Sequence, residues 1–147
     1  MALGGDIVRR LQELVGLEHV GDEGVVFPGS AEEVAAVLAV ANAGRLRVTP
    51  AGNSTQQELG ALSAGSDLTV CLRRLNCLRQ YEPADLTASM EAGITVAEFS
   101  AALATNRQWL PLGVPRPACA TMGGVLATNT SGPFRLFYGT ARDMVIG

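Results

Sequence analysis

Two runs of small, uncharged residues are the places where this sequence could bind something. The first, Pro50-Ala51-Gly52-Asn53-Ser54-Thr55 and on to Gly60, follows a strand-like stretch. Small side chains let successive backbone N–H groups turn toward one centre, which makes a nest for phosphate oxygens. Gly52 allows close approach of the backbone, and the Ser54 and Thr55 hydroxyls can donate to the same oxygens. Taken alone, such a run is more often an ordinary polar turn. The second run lies within Pro117 to Gly132 and holds Ala120-Thr121-Met122-Gly123-Gly124, then Ala127-Thr128-Asn129-Thr130-Ser131-Gly132. Thr121 is placed to cap a short helix, and the paired glycines would leave the N–H groups of that helix start bare, an arrangement that attracts anions. Two such stretches about 70 residues apart suit one pyrophosphate held from both sides. A third piece, Arg135, Tyr138-Gly139 and Arg142-Asp143, reads either as a surface ion pair of little worth or as an anchor for the end of the second run.

Other chemistries find little support. There is no G-x-x-x-x-G-K-[ST] phosphate loop and no lysine in the first run. No G-x-G-x-x-G joins a strand to a helix, so the Rossmann route to a dinucleotide is unsupported. Cys71, Cys77 and Cys119 form no C-x-x-C pair, so no metal or iron–sulfur site is expected. An odd, unpatterned cysteine count suits a reducing compartment. No pair of residues makes a convincing general acid and base, so the catalytic residues stay unknown. His19 reads as a surface residue near a turn, Cys71 as half-buried packing, and Trp109 as core. Cys119 lies near the second run without a visible resolving partner, and Tyr138 reads equally as a cofactor contact or a structural tyrosine.

The 147 residues suffice for a domain with a real core. Apolar residues make up 48% and charged residues 17%, which argues against disorder. The net charge of −3 gives no pull toward nucleic acid or an anionic membrane; Arg73, Arg74 and Arg79 read as a solvated edge. No run of 18 apolar residues spans a membrane, and Met1 to Arg10 has no signal-peptide core.

The elements that must position these runs follow from periodicity. Asp6 to Val15 predicts a helix with Ile7, Leu11 and Leu14 on one face and Gly16 at its end. Val25-Val26-Phe27 predicts a strand stopped by Pro28. Ser30 and Glu33 form a capping box for a helix whose stripe is Val34, Val37, Leu38 and Ala41, closed by Gly44. Residues 45–49 and 68–72 alternate as strands. Leu78–Glu82 and Thr87–Glu91 predict a hairpin turning at Pro83-Ala84-Asp85. Thr95 and Glu98 cap a helix with Val96, Phe99 and Leu103 inward. Trp109-Leu110 and Met144-Val145-Ile146 read as short strands. The latter starts and then stops, so Gly147 is expected to end a fragment. The organisation expected is a helical lead-in over 1–24, a first subdomain over 25–75 and a second, incomplete one over 76–147.

Five pieces, taken in order, resemble the FAD-binding domain of the vanillyl-alcohol-oxidase/PCMH flavoproteins. Val26-Phe27-Pro28-Gly29-Ser30-Ala31-Glu32-Glu33-Val34 resembles its V-x-P-x-[ST]-x-E-E-V opening. Residues 50–55 stand where the family carries its pyrophosphate loop. Glu91-Ala92-Gly93 resembles E-A-G, residues 120–124 resemble A-T-[ILM]-G-G, and Ser131-Gly132, Tyr138-Gly139 and Arg142-Asp143-Met144-Val145-Ile146-Gly147 resemble S-G, Y-G and R-D-x-V-x-G. Within the family the sequence is most similar to the FAD-binding subunit of bacterial glycolate oxidase, through Tyr81–Thr87, Leu110–Leu112 and Ser131–Gly139; FAD-linked D-lactate dehydrogenases share much of the pattern. The resemblance implies an α+β fold of two α/β subdomains with FAD between them, truncated at its C-terminal end. It implies cofactor contacts at Ala51, Gly52, Asn53, Ser54, Thr55, Ala120, Thr121, Met122, Gly123, Gly124, Ala127, Thr128, Asn129, Gly132 and Ile146. FAD would be non-covalent, because Asn53 or Ser54 stands where some relatives attach it through a histidine. The implied activity is oxidation of a small 2-hydroxy acid of the glycolate type, by hydride transfer to flavin. Electrons would pass to a complex with a second flavin subunit and an iron–sulfur subunit, cytoplasmic or held at a membrane through those partners. The rivals are a D-lactate dehydrogenase-like enzyme, a non-catalytic remnant and a phosphate-binding α/β protein without flavin.

Overall fold

A computed structural model describes residues 3–58 and 65–147; Leu59 and Gly60, the end of the first candidate run, lie outside the described residues. The chain divides into two compact units, one of residues 1–51 and 60–75, the other of 52–59 and 76–147.

The first unit is a four-stranded sheet with two helices. Its strands are β1 (Val20–Gly21), β2 (Val25–Val26), β3 (Val48–Ala51) and β4 (Leu68–Cys71), in the order β1-β2-β4-β3. β1 and β2 run antiparallel, and β4 is parallel to both its neighbours. β4 is central, and its Leu68, Val70 and Cys71 are all buried. Cys71 is thus deeper than its strand alternation suggests. β3 runs on through Pro50, two residues past the sequence expectation. It can do so because, among the described residues, it pairs only with β4, so the missing proline N–H breaks no ladder.

Helix α1 (Gly5–Val15) buries Leu11 and Val15, and Ile7 packs partly against the core. Leu14 turns outward instead of sharing that face. Helix α2 (Ala31–Ala43) buries Val37, Val40 and Ala41, whereas Leu38 is 43% exposed. The stripe differs from the expected one because an alanine-rich helix is apolar nearly all round, and tertiary packing then picks the face. Ser30 accepts from the Glu33 N–H at 3.1 Å. Glu33 reaches back one residue further than a capping box requires, accepting from the Gly29 N–H at 2.7 Å. The far end is a Schellman turn: Arg45 N–H donates to Asn42 O and Leu46 N–H to Ala41 O. Its left-handed residue is Arg45 at φ +52°, not Gly44.

The second unit has a hairpin and two core helices. β5 (Leu78–Glu82) and β6 (Thr87–Met90) pair antiparallel with an irregularity between Leu78 and Gln80. Glu91 closes the hairpin mouth by accepting from the Cys77 N–H and the Arg79 guanidinium. Helix α3 (Val96–Ala104) carries the expected capping box of Thr95 and Glu98 and buries Val96, Phe99 and Leu103. Helix α4 (Met122–Thr128) adds Met122 and Val125 to the same core, with Ile94, Ala120 and Ala141. A single-turn helix, α5 (Arg135–Tyr138), follows.

Two expected strands are absent among the described residues. Residues 109–110 are irregular, and Trp109 is 55% exposed, not core. Its ring meets Phe134 and Tyr138 edge-on, each at 5.5 Å between centroids. At the other end a 3₁₀ turn, Ala141–Met144, precedes residues 145–147, which form no strand. Among the described residues no helix is long and apolar enough to cross a membrane.

Candidate functional site

β3 ends at Ala51, the last residue of the first unit before the candidate loop. Gly52 to Gln56 belong to the second unit, and there they lie against residues 116–130. Gly52 sits so close to Thr121 that a Cβ at position 52 would overlap the Thr121 hydroxyl. Glycine is required here for space, since its φ lies outside the left-handed range. The Asn53 side chain donates to Cys119 O at 2.9 Å. Arg116 donates through Nη2 to Thr55 O. Thr130 Oγ1 donates to Gln56 Oε1 at 2.6 Å. Ser54 turns the chain with a left-handed φ of +55°. Among the described residues, the backbone N–H groups of Asn53, Ser54 and Thr55 have no acceptor. Three consecutive unspent donors beside a left-handed residue match what a phosphate-binding nest requires.

The second stretch is built differently from the sequence expectation. Thr121 caps α4, its hydroxyl accepting from the Gly124 N–H at 3.3 Å. The N–H groups at that helix start are not bare, however. Met122 N–H donates to Ile94 O at 2.9 Å and Gly123 N–H to Ala92 O at 2.8 Å. In return, Val96 N–H donates to Ala120 O and Ala97 N–H to Pro117 O. The starts of α3 and α4 thus satisfy each other, around the bridge of Thr95 with Thr121. Gly123 is needed for this close crossing: a Cβ there would stand 2.8 Å from Ala92 Cβ and 2.9 Å from Ala92 O. Gly124 is exposed, and a Cβ there would meet only the Thr121 hydroxyl, at 3.2 Å.

The remaining candidate residues hold the end of α4. Ala127 and Thr128 are exposed, and Thr128 Oγ1 donates to Gly124 O at 2.9 Å. Asn129 ends the helix at φ +52°, and its side chain accepts from the Arg142 N–H at 3.2 Å. Gly132, at φ +69°, packs onto Gly113 so tightly that a Cβ would strike the Gly113 backbone. Ile146 stands 88% exposed. Arg142 and Asp143 turn to different partners. Asp143 accepts from the Thr140 N–H and hydroxyl, which hold its carboxyl below the usual carboxylate range. Arg142 reaches Ala127 O at 3.4 Å. His19, in the first unit, lies 3.4 Å from Glu18.

Sequence reasoning passed over Arg116, and it held Gln56 and Thr130 within the two runs without giving either a role. One signal was present: Arg116 stands between Pro115 and Pro117, and a charge fixed between two prolines is held in place by a stiff loop. Gln56 and Thr130 carry no comparable local mark.

A family model described as an FAD binding domain matches residues 23–147. This chain belongs to that FAD-binding family. The FAD domain is 31% identical over 150 residues to a D-2-hydroxyglutarate dehydrogenase of Xanthomonas citri pv. viticola, covering 95% of this chain and 32% of the relative. It is 34% identical to a D-lactate dehydrogenase of Anaerostipes hadrus, over 84% of this chain and 26% of that protein. It is 24% identical to the glycolate oxidase subunit GlcD of Bacillus subtilis, over 85% and 27%. A solved alkyldihydroxyacetonephosphate synthase superposes with a TM-score of 0.84 at 21% identity, over 98% of this chain and 32% of that one. The FAD domain thus has the α+β fold of the PCMH-type flavoproteins and spans about a third or less of each of these relatives.

The chain's own residues fit a diphosphate cofactor at the first loop, where Asn53, Ser54 and Thr55 keep N–H donors to spare. The second stretch fits as a frame: it fixes the loop, and Gly124 leaves its surface open to close approach.

Proposed function

We propose that this FAD domain serves an oxidoreductase acting on a small 2-hydroxy acid. The observation that carries the reading is the loop of residues 52–56, tied to residues 116–130 through side chains and carbonyls while three neighbouring N–H groups stay unspent. In this reading Ala51, Gly52, Asn53, Ser54 and Thr55 hold the pyrophosphate. Ala120, Thr121, Met122, Gly123, Gly124, Ala127, Thr128 and Asn129 border it, and Gly132 and Ile146 lie near the rest of the cofactor. Bound FAD would supply the capacity to accept a hydride from the substrate C–H. The chain's contribution is to hold and orient it. FAD is bound non-covalently, since the loop carries no histidine, and the sole His19 belongs to the first unit.

The substrate class is supported by relatives named for D-2-hydroxyglutarate, D-lactate and glycolate, all 2-hydroxy acids. Glycolate is the finer reading, with electrons passing to a second flavin subunit and an iron–sulfur subunit in the cytoplasm. The D-lactate reading competes with it, favoured by the higher identity to that relative.

Titration of the full chain with FAD, FMN and ADP-ribose, followed by flavin fluorescence and calorimetry, tests the cofactor. FAD should bind more tightly than FMN, and denaturation should release all of the flavin into solution. Binding of ADP-ribose without FAD would overturn the proposal, and flavin that stays with the denatured chain would overturn the non-covalent assignment.

A further inference from the structure

We infer that Arg116 is a positioning residue of the cofactor loop, the charged member of a clasp completed by Asn53 and by the Gln56–Thr130 pair. The inference rests on the FAD reading above and names what sets that site. Asn53 and Ser54 are exposed and Ser54 is left-handed, so the loop is free to take other backbone conformations while water satisfies its N–H groups. Three ties oppose this, and none of them consumes a loop N–H. Arg116 takes the Thr55 carbonyl, Cys119 O takes the Asn53 amide, and Thr130 takes the Gln56 side chain. All three anchors lie far along the chain from the loop, at separations of 61, 66 and 74 residues. The donors are therefore left to a ligand while the backbone that bears them is fixed.

Arg116 is singled out among the three by two features. It is the charged member, and a hydrogen bond from a guanidinium is about twice as strong as a neutral one. It also adopts a left-handed φ of +51°, an uncommon state for a residue with a side chain, between Pro115 and Pro117. Strain of that kind persists where the surroundings fix it and often marks a functional position. The guanidinium has five N–H donors in all, and Arg116 is exposed, so its charge stays beside a loop meant for a diphosphate.

The test compares the full chain with Arg116→Met, Arg116→Lys and Thr130→Val in three measurements: FAD dissociation constant, thermal midpoint, and ¹⁵N order parameters of the 53–56 amides without flavin. Arg116→Met should weaken FAD binding by roughly 10-fold, because FAD must then bear the cost of ordering the released loop. It should lower the order parameters of residues 53–56 and leave the midpoint in place, because the side chain is exposed. Arg116→Lys should recover part of the affinity. Should Arg116→Met fail to fold, Thr130→Val carries the test: it removes a neutral tie and should give a smaller loss of affinity in the same direction. FAD affinity and loop order equal to the parent in Arg116→Met, or in Thr130→Val when only that variant folds, would overturn the clasp. A parent chain that binds no FAD would overturn the cofactor reading instead, and the order parameters would still judge the clasp.

Discussion

Gly123 and Gly124 are neighbours in sequence with opposite constraints. A side chain at 123 runs into the Ala92 backbone, which belongs to the crossing of the α3 and α4 starts. A side chain at 124 faces open space except for the Thr121 hydroxyl. Gly123→Ala gains about 1 kcal/mol in helix propensity, but overpacking against a fixed backbone costs about 1–3 kcal/mol. Gly123→Val adds two more methyl groups and forfeits most of the propensity gain. Gly123→Val should therefore lower stability by about 2 kcal/mol, measured by denaturant unfolding, and any flavin loss in it reports a damaged fold. Gly124→Ala presses only on the Thr121 capping hydroxyl and should cost less stability than Gly123→Val, so weaker FAD binding at an unfolding midpoint near the parent's reports the site itself. Gly124→Ala with parent affinity would remove Gly124 from the cofactor contacts.

At the scale of elements, α3 carries a complete capping box. Thr95 accepts from the Glu98 N–H, and Glu98 accepts from both the Thr95 hydroxyl and the Thr95 N–H. These bonds lower the Glu98 carboxyl from its ordinary value, the hydroxyl contributing most. Removing the cap by Thr95→Ala should cost about 1 kcal/mol, read as a shift in the unfolding midpoint. The bridge between Thr95 and Thr121 is made by backbone groups, so the same variant leaves the start of α4 in place. Thr95→Ser keeps the hydroxyl and should restore most of the loss. The periodicity of 96–104 made this helix and its cap legible, because the box lies within four consecutive residues. The crossing with α4 was not legible, since its acceptors Ala92 and Ile94 lie about thirty residues from their donors.

Across the molecule, four carboxylates in the two units titrate below their ordinary values. Asp67 is held well below the carboxylate range, first by the Arg47 side chain and then by the Arg47 N–H. Glu91 is lowered by the Cys77 N–H and then by Arg79, Glu98 by Thr95, and Asp143 by the Thr140 N–H and hydroxyl. A folded-state pKa below the unfolded one stabilises the fold fully above the unfolded value, near pH 4, and that stabilisation fades as pH falls through the folded value. The thermal midpoint should therefore be flat near neutrality and drop below about pH 4. Asp67→Asn should make the acid limb shallower; an unchanged limb in that variant would exclude the Arg47 pair as its source.

What is local or patterned could be read along the chain: the helices α1 to α3, the β5–β6 hairpin, the Thr95 cap, and the family, through motifs spread over residues 23–147. Each of these depends on neighbours a few positions away or on a spacing that can be read along the chain. Tertiary structure alone decided which N–H groups stay free. The start of α4 looked open because its own side chains are small, yet the 92–94 segment fills it. The first loop looked like any polar turn, yet its donors remain available because Arg116, Cys119 and Thr130 hold it by other atoms. Trp109 looked like core and proved exposed, because the aromatic partners it found, Phe134 and Tyr138, lie at the surface around α5. Hydrogen-bond donors are satisfied by whatever segment the fold brings beside them, and a linear sequence does not specify that neighbour.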